Sequence, residues 1–194
     1  MNPYDGLAEQ KWKKKTQDLV KGHPLGAQEI VEVVQKCWDS IFKSKIGGFS
    51  IGTHIFPKPQ IMGFLLHELI PLEFAARHPK KWRGENVKND KDLVHMPDDS
   101  YSVEIKTSSH KSQIFGNRSY AQKGKAKSKE KTGYYLAVNF EKFLPGGHRP
   151  KIRRIRFGWL DHADWTGQRA ATGQQARLSR AVEEGKLLVL FEAE

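Results

Sequence analysis

The apolar residues of this chain change their spacing once. Between Leu7 and Ile70 they recur every three or four positions, which is typical of helices that bury one side. From Asp92 onward they alternate with polar residues, which is typical of strands. This switch predicts an α/β fold, with a helical N-terminal segment followed by a mixed central β-sheet that is flanked by helices.

Three helices are predicted in the first part of the chain. The first spans Leu7 to Val20, and the third begins at Pro59 and ends before Pro71 or bends there. The second carries one apolar stripe, which consists of Ile30, Val33, Val34, Cys37, Trp38, Ile41 and Phe42. We interpret Cys37 as a small core residue, because no motif pairs it with a base.

Five strands and one more helix are predicted in the second part. The strand segments are DLVHM, YSVEIKTS, GYYLAVNFEKF, KIRRIRFGWLD and KLLVLFEA. The helix is GQQARLSRAVEEG, with its apolar side formed by Ala176, Leu178, Ala181 and Val182. No linker divides the chain, so we expect one domain over residues 1–194, with 1–48 as the helical segment and 59–191 as the core.

The composition narrows the possible partners and the location. The 194 residues carry a net charge of +11, and an excess of this size favours a polyanion such as nucleic acid. No apolar run approaches the roughly 18 residues of a membrane span, and the N-terminus does not resemble a secretory signal. The single cysteine excludes an internal disulfide. We therefore expect a cytoplasmic protein that does not bind membranes.

An acidic side chain and an acid–lysine pair lie on two neighbouring predicted strands. In YSVEIKTS the strict alternation places Glu104 and Lys106 on the same face. An isolated pair of this kind is usually a solvated ion pair of little energetic value. If the hairpin brings Asp92 beside Glu104, however, two carboxylates and the Ile105 carbonyl could bind Mg²⁺. Lys106 would then lie beside the metal and serve the attacking water.

The length of the hairpin loop decides whether these acids meet. A four-residue loop, Pro97 to Ser100, would place Asp92 opposite Ile105, with its side chain on the other face. A loop of three or five residues, or one bulge, would place Asp92 opposite Glu104. Asp90, two residues earlier, is the alternative first acid.

The spacing from Asp92 to Glu104-Ile105-Lys106 resembles the motif of the PD-(D/E)xK nuclease superfamily. Lys91 precedes Asp92 where the literal motif has proline. The resemblance implies a restriction-endonuclease-like fold, in which the two acids lie on adjacent strands of the mixed sheet.

The same resemblance implies a supporting acid on the helix before the sheet. Glu68 in GFLLHELI occupies the corresponding place, and Glu73 is the alternative. The segment EIKTSSHKSQIFGNRSYAQ is more closely similar to type II restriction endonucleases of the ScaI kind. That similarity implies Mg²⁺-dependent, site-specific hydrolysis of double-stranded DNA by a homodimer. Two alternatives remain: a structure-selective repair or junction-resolving nuclease of this fold, and a basic nucleic-acid-binding module without catalysis.

Three basic or polar segments are candidates for DNA contacts. The connection after the acid–lysine strand carries side chains suited to base edges: Gln113, Asn117, Arg118 and Gln122. The lysine run that follows could track phosphates, through Lys123, Lys125, Lys127 and Lys129. Arg154 and Arg156 share one face of a predicted strand and could clamp phosphates.

Overall fold

The computed structural model describes residues 2–122, 131–144, 147–170 and 172–194. The α-helices are α1 (Glu9–Lys21), α2 (Ala27–Lys43), α3 (Pro59–Arg77) and α4 (Arg180–Lys186). The strands are β1 (Lys45–Ile46), β2 (Phe49–Ser50), β3 (Trp82–Gly84), β4 (Leu93–His95), β5 (Val103–Ser108), β6 (Phe115–Asn117), β7 (Gly133–Phe140), β8 (Ile152–Leu160), β9 (Trp165–Gly167), β10 (Gln175–Leu178) and β11 (Leu187–Glu192). None of these helices is both long and apolar enough to cross a membrane.

A six-stranded sheet forms the centre of the protein. Its strand order is β11-β8-β7-β5-β4-β3, and all five of the predicted strands belong to it. β5 and β7 are parallel, whereas the other neighbours are antiparallel. The predicted mixed sheet with flanking helices and a helical N-terminal region is therefore confirmed.

One face of this sheet is covered by α2 and α3. The apolar side of α3 repeats every four residues through Met62, Leu66, Ile70 and Phe74, all of which are buried in the main core. Cys37 is buried there too, as predicted, and burial raises the pKa of its thiol to about 12. The helix continues through Pro71 to Arg77 because this packing outweighs the hydrogen bond that proline removes.

The opposite face of the sheet is covered by α4 and by a second, three-stranded antiparallel sheet in the order β6-β10-β9. The predicted helix over GQQARLSRAVEEG was wrong in its first half, because Gln175–Leu178 is a strand. Ala176 and Leu178 are buried there in alternation with exposed neighbours, a period that suits a strand and not a helix. Only after Ser179 does a helix begin, and the Ser179 hydroxyl accepts a hydrogen bond from the Val182 N–H at 3.3 Å.

Candidate active site

The register between β4 and β5 places the two predicted acids opposite each other. Leu93 pairs with Val103, so the positions next to them, Asp92 and Glu104, are also opposite. Facing residues on antiparallel strands have Cβ atoms about 4.5–5.5 Å apart. Asp92 Oδ2 also accepts a hydrogen bond of 2.7 Å from the Ile105 N–H, which fixes its carboxylate against β5. A loop of three or five residues, or one bulge, was predicted to be necessary for Asp92 to lie opposite Glu104. The observed register meets this requirement.

Lys106 contacts two of the three groups that were predicted to bind a metal. Its Nζ donates to Glu104 Oε1 at 2.7 Å and to the Ile105 carbonyl at 3.1 Å. Glu104 is 2% exposed, and its side chain points toward the second core rather than into solvent. The Lys106 ammonium thus contacts both Glu104 Oε1 and the Ile105 carbonyl oxygen, so these two oxygen atoms lie within reach of one cation.

Tyr120 was not identified from the sequence, although it contacts the buried acid directly. Its hydroxyl donates a short hydrogen bond to Glu104 Oε1. Burial, together with the Glu104 carboxylate, raises the pKa of Tyr120, so the phenol remains a donor at neutral pH. The ammonium groups of Lys106 and Lys131 lie 4.7 and 4.4 Å from the ring centroid. Nothing in the local sequence distinguishes this tyrosine from a core residue.

On α3, the residue that contacts the first acid is a histidine. His67 Nδ1 lies 3.6 Å from Asp92 Oδ2. Glu68, the predicted helix acid, is exposed and lines the neighbouring cleft instead. Consecutive residues of an α-helix are rotated by about 100° about its axis, so Glu68 cannot face Asp92 when His67 does. The sequence identified the helix correctly but did not single out His67.

The two alternative acids are engaged elsewhere. Asp90 pairs with Arg83 at 2.6 Å and accepts from the Asn86 N–H at 2.9 Å, and the Arg83 hydrogen bond lowers its pKa to about 2. Glu73 pairs with Lys36 at 2.7 Å on the outside of α2 and α3, which lowers its pKa. The geometry therefore favours Asp92 over Asp90, and it brings neither alternative to Glu104.

A cleft of about 870 Å³ opens beside the acids. It lies between α3 and the end of β5, and its wall includes Gly63, His67, Glu68 and Thr107. Asp92 and Glu104 are behind this wall rather than on it, with side-chain exposures of 14% and 3%. The cleft approaches the acids through His67.

One of the two arginines of the predicted phosphate clamp on β8 is buried. Arg156 is 1% exposed, and it donates to Asn139 Oδ1 at 3.0 Å and to the Ser112 carbonyl at 2.5 Å. It also forms an ion pair of 3.5 Å with Glu183 of α4. This correction has a simple cause: the β8 face that carries Arg156 lies beneath α4 and the connection after β5. Arg154, on the same strand, pairs with Glu192 of β11.

Some of the other predicted DNA contacts are exposed, whereas one, Arg118, is engaged in hydrogen bonds within the protein. Asn117 and Gln122 are exposed, and Gln113 is half-buried on the wall of a groove over the small sheet. Arg118 Nη1 donates to the carbonyls of Ala170 and Gly173 at 3.3 and 3.4 Å, so it holds the approach to β10. The four lysines of the predicted phosphate-tracking run, Lys123, Lys125, Lys127 and Lys129, lie outside the described residues.

The predicted metal ligands around β5 are all oxygen atoms. Within the described ranges, no three side chains of His, Cys, Asp or Glu are grouped so as to hold a metal. The predicted set is smaller, with the carboxylates of Asp92 and Glu104 and the main-chain carbonyl of Ile105. Mg²⁺ typically takes one or two carboxylates and completes its shell with water and substrate oxygen, so these residues fit that ion.

Comparison with known proteins decides the family. The sequence model of the ScaI restriction endonuclease family matches residues 2–191. The chain belongs to the ScaI restriction endonuclease family. The type II restriction enzyme ScaI of Streptomyces caespitosus is 50% identical over 192 residues, which cover 97% of this chain and 84% of that enzyme. No solved structure matches the chain. The ScaI-family match extends from the region before α1 into β11, and it confirms the resemblance drawn from the segment after Glu104.

Proposed function

We propose that this ScaI-family protein is a type II restriction endonuclease that hydrolyses phosphodiester bonds at a specific sequence in double-stranded DNA with Mg²⁺. Family membership supports the substrate and the specificity. The observation that carries the chemistry is the register that places Asp92 opposite Glu104, with Lys106 on the same face. Neither a structure-selective nuclease nor a binding module without catalysis is favoured by a particular observation.

Three groups would hold Mg²⁺: the carboxylates of Asp92 and Glu104 and the carbonyl of Ile105. Two of them already accept hydrogen bonds from the Lys106 ammonium, which supports their convergence on one cation. When bound, Mg²⁺ would stabilise the negative charge that develops on the phosphate during hydrolysis. His67 orients Asp92 from the side of α3.

Lys106 is the residue that we assign to the nucleophile. An ammonium has three N–H donors, and two of them are directed at Glu104 and Ile105. The third can donate to a water molecule and hold it for attack on the phosphorus atom. Glu68, on the wall of the cleft, would support the site from the solvent side.

The overall charge supports a DNA substrate. A net charge of +11 attracts the phosphate backbone regardless of sequence. We keep the lysine run Lys123, Lys125, Lys127 and Lys129 as the proposed phosphate contacts. Arg154 could join them if its pair with Glu192 opens, whereas the buried Arg156 is not part of this proposal.

We also propose a homodimer, because one chain brings together one set of site residues and a duplex has two strands to cut. Many of the large apolar side chains exposed on the described surface lie in one stretch of the sequence, namely Ile46, Phe49, Phe56, Ile61, Phe64 and Leu72. We propose that they form one contiguous apolar patch, which is the kind of surface that binds another protein.

Two conservative variants test the assignment of the first acid. Asp92→Asn should lower the rate of plasmid cleavage in Mg²⁺ by at least about 100-fold, because a metal ligand loses its charge. Asp90→Asn is the matched control, since its carboxylate pairs with Arg83 away from Glu104. It should lower the thermal unfolding temperature but leave the cleavage rate within about threefold of the wild type.

Both variants should still bind duplex DNA when Ca²⁺ replaces Mg²⁺, which separates lost chemistry from lost binding. The assignment is contradicted if Asp92→Asn cuts normally, or if Asp90→Asn removes cleavage while the protein remains folded.

A further inference from the structure

The small sheet β6-β10-β9 has one apolar face and one polar face. Ala176 and Leu178 of β10 are buried in the second core, together with Trp165 of β9. The other two residues of β10, Gln175 and Arg177, are exposed on the other side. The sheet is thus held to the protein by its inner face, while its outer face is presented to solvent.

The outer face carries donors and acceptors in a fixed arrangement. Asn117 lies opposite Gln175, and Thr166 lies opposite Arg177. Alternate residues of one strand are separated by about 6.6–6.8 Å. That distance corresponds to about two base-pair steps of 3.4 Å each. The two pairs are therefore spaced to meet bases that are two steps apart.

These four side chains are not engaged within the protein. Among the described residues, none of them forms a side-chain hydrogen bond or an ion pair. Other arginines of this region are engaged: Arg118 binds main-chain carbonyls and Arg154 pairs with Glu192. An arginine without a carboxylate partner, on a rigid strand, has its full hydrogen-bonding capacity available for a ligand.

The polar face is continuous with the cleft beside the acids. Phe115 and Gln175 line both that cleft and a groove of about 480 Å³ over the small sheet. Arg177 lines this groove together with Arg169. A polyanion bound at the cleft can therefore extend past Phe115 onto Gln175 and Arg177 of the sheet.

We infer that Arg177 and Gln175 of β10, with Asn117 and Thr166 beside them, contact base edges in the major groove and select the sequence that is cut. This inference rests on the proposed function. An arginine fork matches O6 and N7 of guanine, a carboxamide matches N6 and N7 of adenine, and the threonine methyl group can contact thymine. The major groove, about 12 Å wide, admits two neighbouring strands.

The inference is tested with the wild-type protein and three variants. Fragment ends from a wild-type digest of long duplex DNA are first sequenced to identify the site. Binding is then measured in Ca²⁺ by fluorescence anisotropy on two short duplexes, one with this site and one with the same bases scrambled. Arg177→Ala should weaken binding to the site duplex about 10–100-fold and to the scrambled duplex by less than about threefold.

Arg177→Lys keeps the positive charge but removes the guanidinium fork. Its affinity for the site duplex should fall nearly as much as that of Arg177→Ala, and its affinity for the scrambled duplex should not change. Arg149→Ala is the control, because Arg149 pairs with Asp39 of α2 and lines neither groove nor cleft. It should bind both duplexes like the wild type.

Base-pair substitutions in the site should reveal a guanine whose replacement weakens the wild type but not Arg177→Ala. An equal loss on both duplexes would make Arg177 a phosphate contact and overturn the inference, as would no loss on either. A wild-type protein that cuts no duplex would instead refute the proposed function on which the inference rests.

Discussion

In our proposal, the local chemistry depends on Glu104. Its carboxylate lies almost completely inside the protein, held by the Lys106 ammonium and the Tyr120 hydroxyl. A buried carboxylate without such donors would be costly, since hydrogen bonds to charged groups contribute about 1.5–3 kcal/mol each. We therefore regard Tyr120 as a positioning residue for Glu104, even though it does not reach the cleft.

Tyr120→Phe tests this interpretation. Removal of the hydroxyl deprives Glu104 Oε1 of a donor and leaves the ring in place. The cleavage rate at saturating Mg²⁺ should fall about 10-fold, because small displacements of catalytic groups have large effects on rate. Tyr134→Phe is the control, since within the described part of the chain the Tyr134 hydroxyl has no hydrogen-bond partner. Equal rates for the two variants would contradict the positioning role.

At the residue scale, the sequence narrowed the first acid to two candidates and could not separate them. Asp90 and Asp92 lie two positions apart, so alternation places them on the same face. What distinguishes them is the Arg83 side chain, which comes from β3 and binds Asp90. His67 and Tyr120 were missed for a similar reason, because their contacts with Asp92 and Glu104 depend on packing between elements that are distant in sequence.

At the scale of elements, the approach of α4 to the central sheet depends on Gly158 in β8. A Cβ atom at this position would lie 1.9 Å from the Lys186 carbonyl oxygen, a main-chain atom at the end of α4. Gly158→Ala should therefore lower the free energy of unfolding by about 1–3 kcal/mol or more. Gly48→Ala is the control, because a Cβ there would meet nothing within 4 Å. Denaturant unfolding of both variants provides the measurement, and equal midpoints would contradict this account.

The elements that sequence analysis predicted well are those with long, regular patterns. α2, β5, β7, β8 and β11 were all recognisable from their own periodicity. β10 was not, because Ala176, Leu178, Ala181 and Val182 fit a helical spacing when they are taken together. The cap at Ser179 divides this segment, and the first part is a strand because β6 and β9 offer it partners on both sides. Such pairing partners are not visible in a local window.

At the scale of the whole molecule, the mixed sheet separates two tasks between its faces. One face builds the main core with α2 and α3, and the other carries Glu104 and Lys106 beneath the small sheet. The proposed base-contacting surface is the outer layer of that small sheet, and Tyr120 lies in the core beneath it. In our proposal, the groups that bind DNA and the groups that cut it are therefore rigidly connected.

In our proposal, this ScaI-family chain cuts duplex DNA at a specific sequence by Mg²⁺-dependent hydrolysis. The most direct test is a digest of long linear duplex DNA of known sequence with the purified protein in Mg²⁺, in Ca²⁺ and in a chelator. We expect a few discrete fragments in Mg²⁺, all ending at one common sequence, and intact DNA in the other two conditions. A smear of random fragments would contradict sequence specificity, and intact DNA in every metal would contradict the proposed catalysis.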